Sequence, residues 1–407
     1  MAVEYDVSGT ERGMKSGAHG SARARARRRV TSVGFVATYP PTKCGIATFT
    51  ASLAESLRDT GHGYPFGVLS CVDRGGLQSY GPEVVGELIA GSRASLAAGA
   101  ELLNRFDVVV VQHEFGIFGG EDGEEIIELL RRLTVPAIVV LHTVVADPSR
   151  NQQRIVHELA AIADRLVCQS KVALARLLAS HTIPPGRIRI IPHGAPANLA
   201  AELRENPGHR PTVLTWGLIG PGKGIETAID AVGLLGDLDP LPRYLVLGET
   251  HPRVIAASGE SYRDSLQKRA RTQCPDGMVV FDNTYTDTRT LLARVRHADI
   301  VLLPYLSRDQ VVSGVLVEAI ASGKPVVATS FPFAVEMLSQ GSGIVVPHDD
   351  ATALAAALRS LLTDRALSAE IRAAARRQAP TLFWSTVGQC YARLIAEVRS
   401  ARRRVAA

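Results

Sequence analysis

The sequence predicts an α/β fold made of two doubly wound, Rossmann-like domains that face each other across a cleft. Its 407 residues are 46% hydrophobic and 21% charged, which is an ordinary globular composition and enough chain for two cores. Short β-branched runs alternate with amphipathic stretches, a pattern typical of parallel sheets that are covered on both faces. The pattern runs through residues 30–198 and again through residues 212–380, so we expect an N-terminal and a C-terminal domain.

Each half contains six strand candidates with helical patterns between them. In the first half the strands are predicted at 30–37, 65–71, 107–113, 136–142, 165–170 and 188–194. In the second half they are predicted at 211–217, 243–248, 278–283, 299–305, 325–329 and 343–347. Residues 199–211 are polar and contain Pro and Gly, which predicts a linker. Ligands of such folds bind beyond the carboxyl ends of the strands, so the cleft is the predicted site.

The first 29 residues carry most of the net charge. Seven basic and three acidic side chains there account for +4 of the net charge of +5, which leaves the rest of the chain nearly neutral. Nucleic-acid binding is therefore not expected, because it needs a broad basic face. We interpret residues 1–29 as a disordered basic arm, and weak contact with an anionic membrane surface is the alternative. The apolar stretch after the arginines is short and lacks a cleavage site, which disfavours a signal peptide.

The five cysteines are scattered and odd in number. They form neither a disulfide pattern nor a metal-ligand spacing, which suits a reducing cytoplasm. No apolar run approaches the roughly 20 residues that a membrane-spanning helix needs. We therefore expect a cytoplasmic protein that binds no metal, with the basic arm at the inner membrane face as the alternative.

Residues 215–224 read TWGLIGPGKG, in which Gly217, Gly222 and Lys223 have the spacing of a phosphate-binding P-loop. A P-loop also needs a Ser or Thr hydroxyl for magnesium directly after the lysine, and Gly224 occupies that position. With a helix beginning near Ile225, the stretch suits a diphosphate that is bound without this metal. The plainer alternative is a tight strand-to-helix turn with a solvated lysine.

A second anion-binding helix start is predicted within residues 310–329. Backbone N–H groups of Ser313, Gly314, Val315 and Leu316 would point at a ligand from the first turn of a helix. Glu318 lies further along this apolar helix, where an ionised side chain needs a partner. It could accept two hydrogen bonds from a ribose diol, and the alternative is an exposed position on the polar face of the helix.

The order of three motifs resembles the C-terminal half of family-four retaining glycosyltransferases with the GT-B fold, also called glycosyl transferases group 1. The motifs are G-x-x-x-P-x-K-G at 217–224, DIVLLPY at 299–305 and SGVLVEAIASGKPVVAT at 313–329. The first half is similar as well, with Gly45 in the loop after the first strand, His113 and His142 at strand ends, and IPHG at 191–194. The resemblance covers about residues 30–400. Residues 381–400 look like the last helix of the family, which crosses back to the N-terminal domain.

The resemblance implies a metal-independent enzyme that moves a hexose-type sugar from a nucleotide-diphosphate donor to an acceptor hydroxyl, with retention of configuration. A glycan, a lipid-linked sugar or a small molecule would be the acceptor, and no cofactor is implied. The catalytic residues would be His113, Lys223, Gln310 and Glu318. Lys223 and the amides of 313–316 would balance charge on the departing diphosphate, and Glu318 would hold the ribose.

The remaining roles follow from the same resemblance. Gly217, Gly222 and Gly224 would form the donor-binding loop, and Gly45 would let the N-terminal loop approach the donor. His113 would lie near the transferred sugar and the acceptor. We expect residues 283–285 to contact the base and loop 115–122 to contact the acceptor.

Two positions depart from the family pattern. The family has two glutamates, and Gln310 stands where the first is expected, eight positions before Glu318. A glutamine can hydrogen-bond sugar hydroxyls but carries no charge. Leu218 replaces the usual arginine, so a bidentate phosphate clamp is missing, and His251 or Arg253 could compensate. A sugar-nucleotide epimerase or a weakly active sugar-nucleotide binding protein of the same fold is therefore the alternative.

Two other classes of enzyme are disfavoured. A nicotinamide or flavin oxidoreductase needs G-x-G-x-x-G after an early strand, and the first loop has only Gly45. A metal-dependent glycosyltransferase needs an Asp-x-Asp motif at a strand end. Asp237 and Asp239 have this spacing, but they follow a predicted helix.

Overall fold

The computed structural model describes residues 30–61, 63–76, 78–199, 209–284 and 286–406. These residues form two parallel β-sheets with helices on both faces, so the predicted fold class is confirmed. The predicted basic arm at 1–29 and residues 200–208 of the predicted linker lie outside the described residues. Within the described ranges, every helix is too short or too polar to traverse a lipid bilayer.

The N-terminal domain contains the first sheet. Its strands are β1 (Val33–Ala37), β2 (Phe66–Val72), β3 (Val84–Ile89), β4 (Val108–His113), β5 (Ala137–Leu141), β6 (Arg165–Cys168) and β7 (Ile188–Ile190). They pair in the order β3-β2-β1-β4-β5-β6-β7. The helices are α1 (Gly45–Arg58), α2 (Arg93–Leu103), α3 (Glu125–Arg131), α4 (Arg150–Ile162) and α5 (Lys171–Ser180).

The C-terminal domain contains the second sheet. Its strands are β8 (Thr212–Trp216), β9 (Arg243–Leu247), β10 (Val279–Asp282), β11 (Ile300–Leu303), β12 (Val326–Thr329) and β13 (Gly343–Val346). They pair in the order β10-β9-β8-β11-β12-β13, so β8 and β11 lie at the centre. The helices are α6 (Ile225–Gly233), α7 (Pro252–Ser258), α8 (Ser261–Gln273), α9 (Thr288–His297), α10 (Gly314–Ala321), α11 (Pro332–Leu338), α12 (Ala351–Thr363), α13 (Arg365–Gln378) and α14 (Trp384–Ala406).

Strand β4 illustrates why each sheet is covered on both faces. All six of its residues are buried, which explains the continuous apolar run VVVV. Val108 and Val110 belong to the core that α1 and α14 cover, whereas Val109 and Val111 belong to the core formed with α2 to α5. Because side chains alternate along a strand, the two polar residues that end β4 point to opposite faces of the sheet.

Two details of the N-terminal sheet differ from the prediction. The structure adds strand β3, whose residues are mostly only partly buried because it lies at the edge of the sheet. Its sequence therefore lacks the apolar run that marks the other strands. The last strand is shorter than the predicted 188–194 and ends at Ile190, since Pro192 has no N–H to continue the ladder.

The main chain crosses between the domains at two adjacent places. The first crossing is at Ala195 and the second is at Phe383, just before α14 packs on α1. Ala195 N donates to Leu382 O at 2.8 Å, and Trp384 N donates to Ala195 O at 2.9 Å. The two crossings are therefore hydrogen-bonded to each other.

Candidate functional site

The glycine loop after β8 has a backbone conformation that residues other than glycine rarely adopt. Gly217, Gly222 and Gly224 have φ angles of 117°, 92° and 65°. A Cβ atom at Gly224 would clash with the carbonyl oxygen of Pro304. Leu306 N also donates to Gly222 O at 2.9 Å, so the loop lies against the end of β11. Helix α6 begins at Ile225, as the sequence predicts.

Lys223 is held by an aromatic ring that the sequence reasoning did not identify. Its Nζ lies 4.2 Å from the centroid of the Tyr305 ring, a cation–π contact. Tyr305 is buried and stacks on Phe331, with 5.5 Å between ring centroids. The lysine is only partly buried, so its ammonium group remains accessible at the carboxyl ends of β8 and β11.

Helix α10 begins as predicted, with Ser313 as its N-cap. The hydroxyl of Ser313 accepts a hydrogen bond from Leu316 N at 3.3 Å, so this amide is already used within the cap. A ligand would have to compete with this cap for the Leu316 N–H, and its use by a ligand stays a prediction. Gly314 and Val315 lie in the first turn, where no carbonyl of the helix can reach their amides. Together with the amide of the N-cap Ser313, these are the amides that remain for the predicted anion contact.

Glu318 is linked to the end of β8 by a tryptophan. The Trp216 side chain interacts with the Glu318 carboxylate and favours its ionised form. Burial raises the pKa of this carboxyl to about 7, and the interaction with Trp216 opposes that shift. Glu318 is partly buried, so the alternative of a fully exposed position on the polar face is wrong. Trp216 was missed, although a large aromatic residue directly before Gly217 was the available signal.

Gln310 does not extend freely into the cleft. Its amide Nε2 donates to Val312 O at 3.0 Å, and its backbone carbonyl accepts from Phe333 N at 3.2 Å. The amide therefore lies along the segment that leads to Ser313. This segment brings Gln310 close to the start of α10.

His113 is fully buried at the end of β4. Phe115 contacts its ring edge-on at a centroid distance of 5.0 Å, and Phe118 stacks on it at 6.1 Å. Neither ring nitrogen has a hydrogen-bond partner among the described residues. Burial lowers the pKa of His113 to about 4, so the ring is neutral near pH 7. The residues after β4 thus cover the predicted sugar-binding side chain.

A buried polar row lies on the other face of the N-terminal sheet. His142 Nε2 lies 2.8 Å from Gln112 Oε1, and Gln169 Nε2 lies 3.2 Å from His142 Nδ1. His142 therefore donates from Nε2 and accepts at Nδ1, which makes it neutral. Burial lowers its pKa to about 3, and the nearby His193 and His113 add to the shift. This row fixes the ends of β4, β5 and β6 relative to one another.

His193 lies where the two domains meet. Its Nδ1 donates to Gly194 O at 2.7 Å, and its Nε2 lies 3.1 Å from the position that a Cβ atom on Gly314 would occupy. Burial lowers the pKa of His193 to about 4. The N-terminal domain thus contacts the first residue of α10.

Gly45 is the first residue of α1, and no atom lies within 4 Å of the position that its Cβ would occupy. The same loop reaches across the cleft, since Lys43 Nζ lies 3.1 Å from Glu249 on the loop after β9. Gly45 therefore lies beside a cross-domain contact and has open space in front of it.

Arg263, on α8, organises the loops that follow β9 and β10. It is 2% exposed and donates to Thr250 Oγ1 at 3.0 Å, to Asn283 Oδ1 at 2.6 Å and to Gly248 O at 2.6 Å. It thereby fixes Asn283, from the region expected to contact the base, whereas Tyr285 lies outside the described residues. The polar pattern of α8 gave no signal that this arginine is buried.

The candidate compensating residues lie at the start of α7. His251 Nδ1 accepts from Arg253 N at 3.1 Å and so caps the helix. The Arg253 guanidinium is exposed and lies 3.8 Å from the Cβ position of Gly116, in the N-terminal domain. Arg253 therefore places a positive charge at the cleft, whereas Leu218 supplies none.

The acidic pair of the disfavoured metal-dependent class lies elsewhere. Asp237 accepts two hydrogen bonds from Arg359 on the surface, at 2.6 and 2.8 Å. In the part of the chain that the structure describes, no three His, Cys, Asp or Glu side chains converge as a metal site.

Two family models match successive parts of the chain. The model of Glycosyltransferase Family 4 matches residues 44–199, and that of Glycosyl transferases group 1 matches residues 201–378. The D-inositol 3-phosphate glycosyltransferase of Corynebacterium glutamicum (strain R) is 29% identical over 287 residues, which cover 63% of this chain and 66% of that protein. The phosphatidyl-myo-inositol mannosyltransferase of Mycolicibacterium smegmatis is 37% identical over 102 residues, 25% of this chain and 26% of that protein. The chain thus spans about two thirds or less of these relatives.

Solved structures share the two-domain fold. Anabaena Alr3699/HepE in complex with UDP and glucose has a TM-score of 0.68 at 17% identity, covering 90% of this chain and 100% of that one. Sucrose-phosphate synthase (tll1590) from Thermosynechococcus elongatus has a TM-score of 0.69 at 19% identity, covering 91% and 100%. With both halves matched and the GT-B fold shared, the chain belongs to the group 1 glycosyl transferases, glycosyltransferase family 4.

Proposed function

We propose that the protein is a retaining glycosyltransferase that moves a hexose-type sugar from a nucleotide-diphosphate donor to an acceptor hydroxyl without a metal. One observation carries this proposal. The segment after β11 holds the glycine loop after β8, because Tyr305 contacts the Lys223 ammonium and Leu306 N donates to Gly222 O at 2.9 Å, and the same segment leads to α10. Lys223, stacked on Tyr305, and the first amides of α10 therefore belong to one arrangement at the centre of the C-terminal sheet.

In the proposed reaction these groups stabilise the leaving diphosphate. Negative charge grows on the phosphate oxygens as the bond to the sugar breaks, and a fixed ammonium with oriented amides lowers the energy of that state. Lys223 supplies the ammonium, and Gly314 and Val315 supply the amides. The Glu318 carboxylate accepts hydrogen bonds from the ribose hydroxyls, and these bonds favour its ionised form.

Retention of configuration follows from attack on the same face of the sugar from which the diphosphate leaves. A phosphate oxygen of the donor takes the proton of the acceptor hydroxyl, so no side chain has to act as the base. This role suits a site in which His113 is neutral and covered. When the loop after β4 opens, His113 can hydrogen-bond the transferred sugar.

The names of similar proteins support the type of donor and acceptor. HepE is described in complex with UDP and with UDP-glucose, which favours a nucleotide sugar as donor. The curated relatives act on D-inositol 3-phosphate or phosphatidyl-myo-inositol, as their names state. We therefore propose a sugar-type or polyol hydroxyl as acceptor, on a glycan, a lipid-linked sugar or a small molecule. A cytoplasmic location is part of the proposal, with membrane contact through the basic arm as the alternative.

A second function is favoured by the two departures from the family pattern. The Gln310 amide is bound to Val312 O, and Leu218 brings no charge to the phosphate loop. A sugar-nucleotide epimerase or a weakly active binding protein needs less stabilisation of a leaving group. Donor turnover without an acceptor product would support the epimerase, and saturable binding without turnover would support the binding protein.

The first test is thermal stabilisation by a ligand panel with EDTA present throughout. The panel contains UDP, GDP, ADP and TDP sugars beside NAD and ATP. A ligand that binds the folded state stabilises it by about 2.7 kcal/mol at a concentration of 100 times its Kd. We expect one sugar nucleotide to raise the Tm selectively. Stabilisation by NAD or ATP alone would contradict the proposed donor class.

Substitutions test the site itself. Lys223→Ala removes the ammonium and is expected to lower kcat with the identified donor about 100-fold, as the loss of one oriented charge-stabilising group does. Glu318→Ala is expected to raise the KM for the donor. Lys268→Ala, at an exposed lysine of α8, is the matched control and leaves both constants unchanged. Unchanged kinetics in both site variants would exclude this site.

A further inference from the structure

Four consecutive backbone carbonyls before α10 are all hydrogen-bonded. In chain order, Asp309 O accepts from Arg176 Nη1 at 2.6 Å, Gln310 O from Phe333 N at 3.2 Å, Val311 O from Ser170 Oγ at 2.8 Å and Val312 O from the Gln310 amide at 3.0 Å. Loops normally leave such carbonyls to water. This segment, residues 309–312, is therefore fixed residue by residue.

Two of these four donors come from the other domain. Ser170 is the N-cap of α5 and Arg176 lies within α5, both in the N-terminal domain. Ser170 is 2% exposed, so its hydrogen bond to Val311 O is shielded from solvent, whereas the bond from Arg176 to Asp309 O lies at the exposed edge of the junction. Val311 is buried in the hydrophobic core of the N-terminal domain, where Phe115 packs. Residues 309–312 belong to the C-terminal domain by sequence, but side chains of the N-terminal domain bind two of their carbonyls.

A third contact closes the junction. The carboxylate of Glu336, on α11, accepts from Lys171 N at 2.9 Å and from Val172 N at 2.8 Å, the first two amides of α5. A carboxylate at a helix N-terminus is favourable because it satisfies free amides and faces the positive end of the helix dipole. Helix α11 also supplies Phe333 N to Gln310. Helices α5 and α11 thus hold the segment together from opposite domains.

We propose that α5 positions Gln310 for the sugar of the donor, with Ser170, Arg176 and Glu336 as positioning residues. This inference rests on the proposed function. The carbonyls bound by Arg176 and Ser170 lie directly before and after Gln310, so they fix the backbone from which its amide projects. An uncharged amide acts only through directed hydrogen bonds, so its effect depends on this placement.

The arrangement separates the sugar from the diphosphate. Lys223, the first amides of α10 and Glu318 all belong to the C-terminal domain, and none of them is hydrogen-bonded by Ser170 or Arg176. A nucleoside diphosphate therefore binds whether or not α5 holds its segment. The sugar is recognised fully only when the two domains are docked. Loss of the α5 contacts weakens binding of the nucleotide sugar selectively.

The experiment compares two probe pairs on the full chain by calorimetry, UDP with UDP-glucose and GDP with GDP-mannose. Ser170→Asp keeps an acceptor for the Ala173 amide, and so keeps the N-cap, but removes the hydroxyl donor to Val311 O. Arg176→Gln removes the charge and the reach to Asp309. For the pair that the unchanged protein binds, we expect the Kd of the nucleotide sugar to rise at least tenfold. The Kd of the diphosphate should stay within twofold.

Three further variants separate positioning from a general loss of structure. Arg176→Lys, which retains a donor, should recover part of the sugar-dependent affinity. Glu336→Gln, which keeps the volume but weakens the contact with α5, should shift the same ratio of Kd values to a smaller extent. Arg154→Gln breaks an exposed ion pair with Glu158 in the N-terminal domain and should change neither Kd.

The outcomes distinguish the inference from the function on which it rests. An equal rise in both Kd values, or no change in either, would overturn the positioning role while leaving the donor site in place. If the unchanged protein binds neither pair, the proposed function itself fails for these donors and the inference falls with it. A Tm for Ser170→Asp close to that of the unchanged protein confirms that folding is intact.

Discussion

The two sheets share one architecture, yet their carboxyl ends are built differently. In the C-terminal domain this end consists mainly of backbone: glycines with positive φ and a helix start with available amides. The Lys223 side chain, which lies over the Tyr305 ring, adds a positive charge. In the N-terminal domain it consists of side chains, with His113 under two phenylalanines and a row of Gln112, His142 and Gln169 inside the core. The C-terminal end thus presents backbone amides and a lysine ammonium. The other end is filled by its own residues.

Glycine substitutions give the largest expected difference between the two ends. Gly224→Ala should lower the free energy of unfolding by about 3 kcal/mol or prevent folding, because the new Cβ meets Pro304 O and φ is positive. Gly45→Ala should change it by less than about 1 kcal/mol and in the stabilising direction, since the site is open and helical. Urea unfolding followed by tryptophan fluorescence measures both. Equal effects would mean that the two loops are not built differently.

Glu318 gives the C-terminal end a defined dependence of stability on pH. Its folded pKa of about 7 lies above the ordinary value of 4.5, so between these values the folded state binds more protons than the unfolded state. The stability due to Glu318 is therefore fully present below about pH 4.5 and is lost as the pH rises to 7. Glu318→Gln should remove about 1–2 kcal/mol of this pH-dependent change in the free energy of unfolding, after allowance for partial exposure. Urea unfolding of both proteins from pH 4.5 to 8 tests this, and identical slopes would contradict it.

His113 should produce the opposite dependence at the N-terminal end. Its folded pKa of about 4 lies below the ordinary value of 6.5, so its contribution to stability is present above pH 6.5 and is lost as the pH falls towards 4. His113→Leu, of similar volume, should reduce this loss in acid. At pH 7 it should change the free energy of unfolding by less than about 1 kcal/mol, because two ring nitrogens without partners are removed.

The turnover of the His113→Leu variant shows whether the side chain also has a role in the reaction. If His113→Leu keeps its stability but loses turnover, the side chain contacts substrate when the loop after β4 opens. Full turnover in this variant would instead restrict His113 to the core.

The glycine loop after β8 and the start of α10 could be predicted from sequence because their signals are local. Gly217, Gly222 and Lys223 lie within one short stretch, and Ser313 marks the start of its helix by itself, so spacing alone located the glycine loop and both helix starts. The fold class followed from the alternation of apolar runs for the same reason.

The contacts that complete the site could not be predicted in this way. Trp216 reaches Glu318 and Lys223 rests on Tyr305 across long stretches of sequence, and only the order of strands in the sheet brings them together. Arg263 is polar in a polar helix, so nothing in its surroundings indicates burial. The covering of His113 by Phe115 and Phe118 depends on the path of a loop, which sequence patterns do not specify.

The paired crossings at Ala195 and Phe383 determine how the domains can move. A single connection allows rotation about three axes, whereas two connections that are hydrogen-bonded side by side restrict the relative rotation of the domains. Opening and closing of the cleft are then limited to a narrow set of relative domain orientations. Fewer open arrangements exist, so less conformational entropy is lost when the cleft closes. A ligand that contacted both domains would therefore shift the population among few relative orientations of the domains.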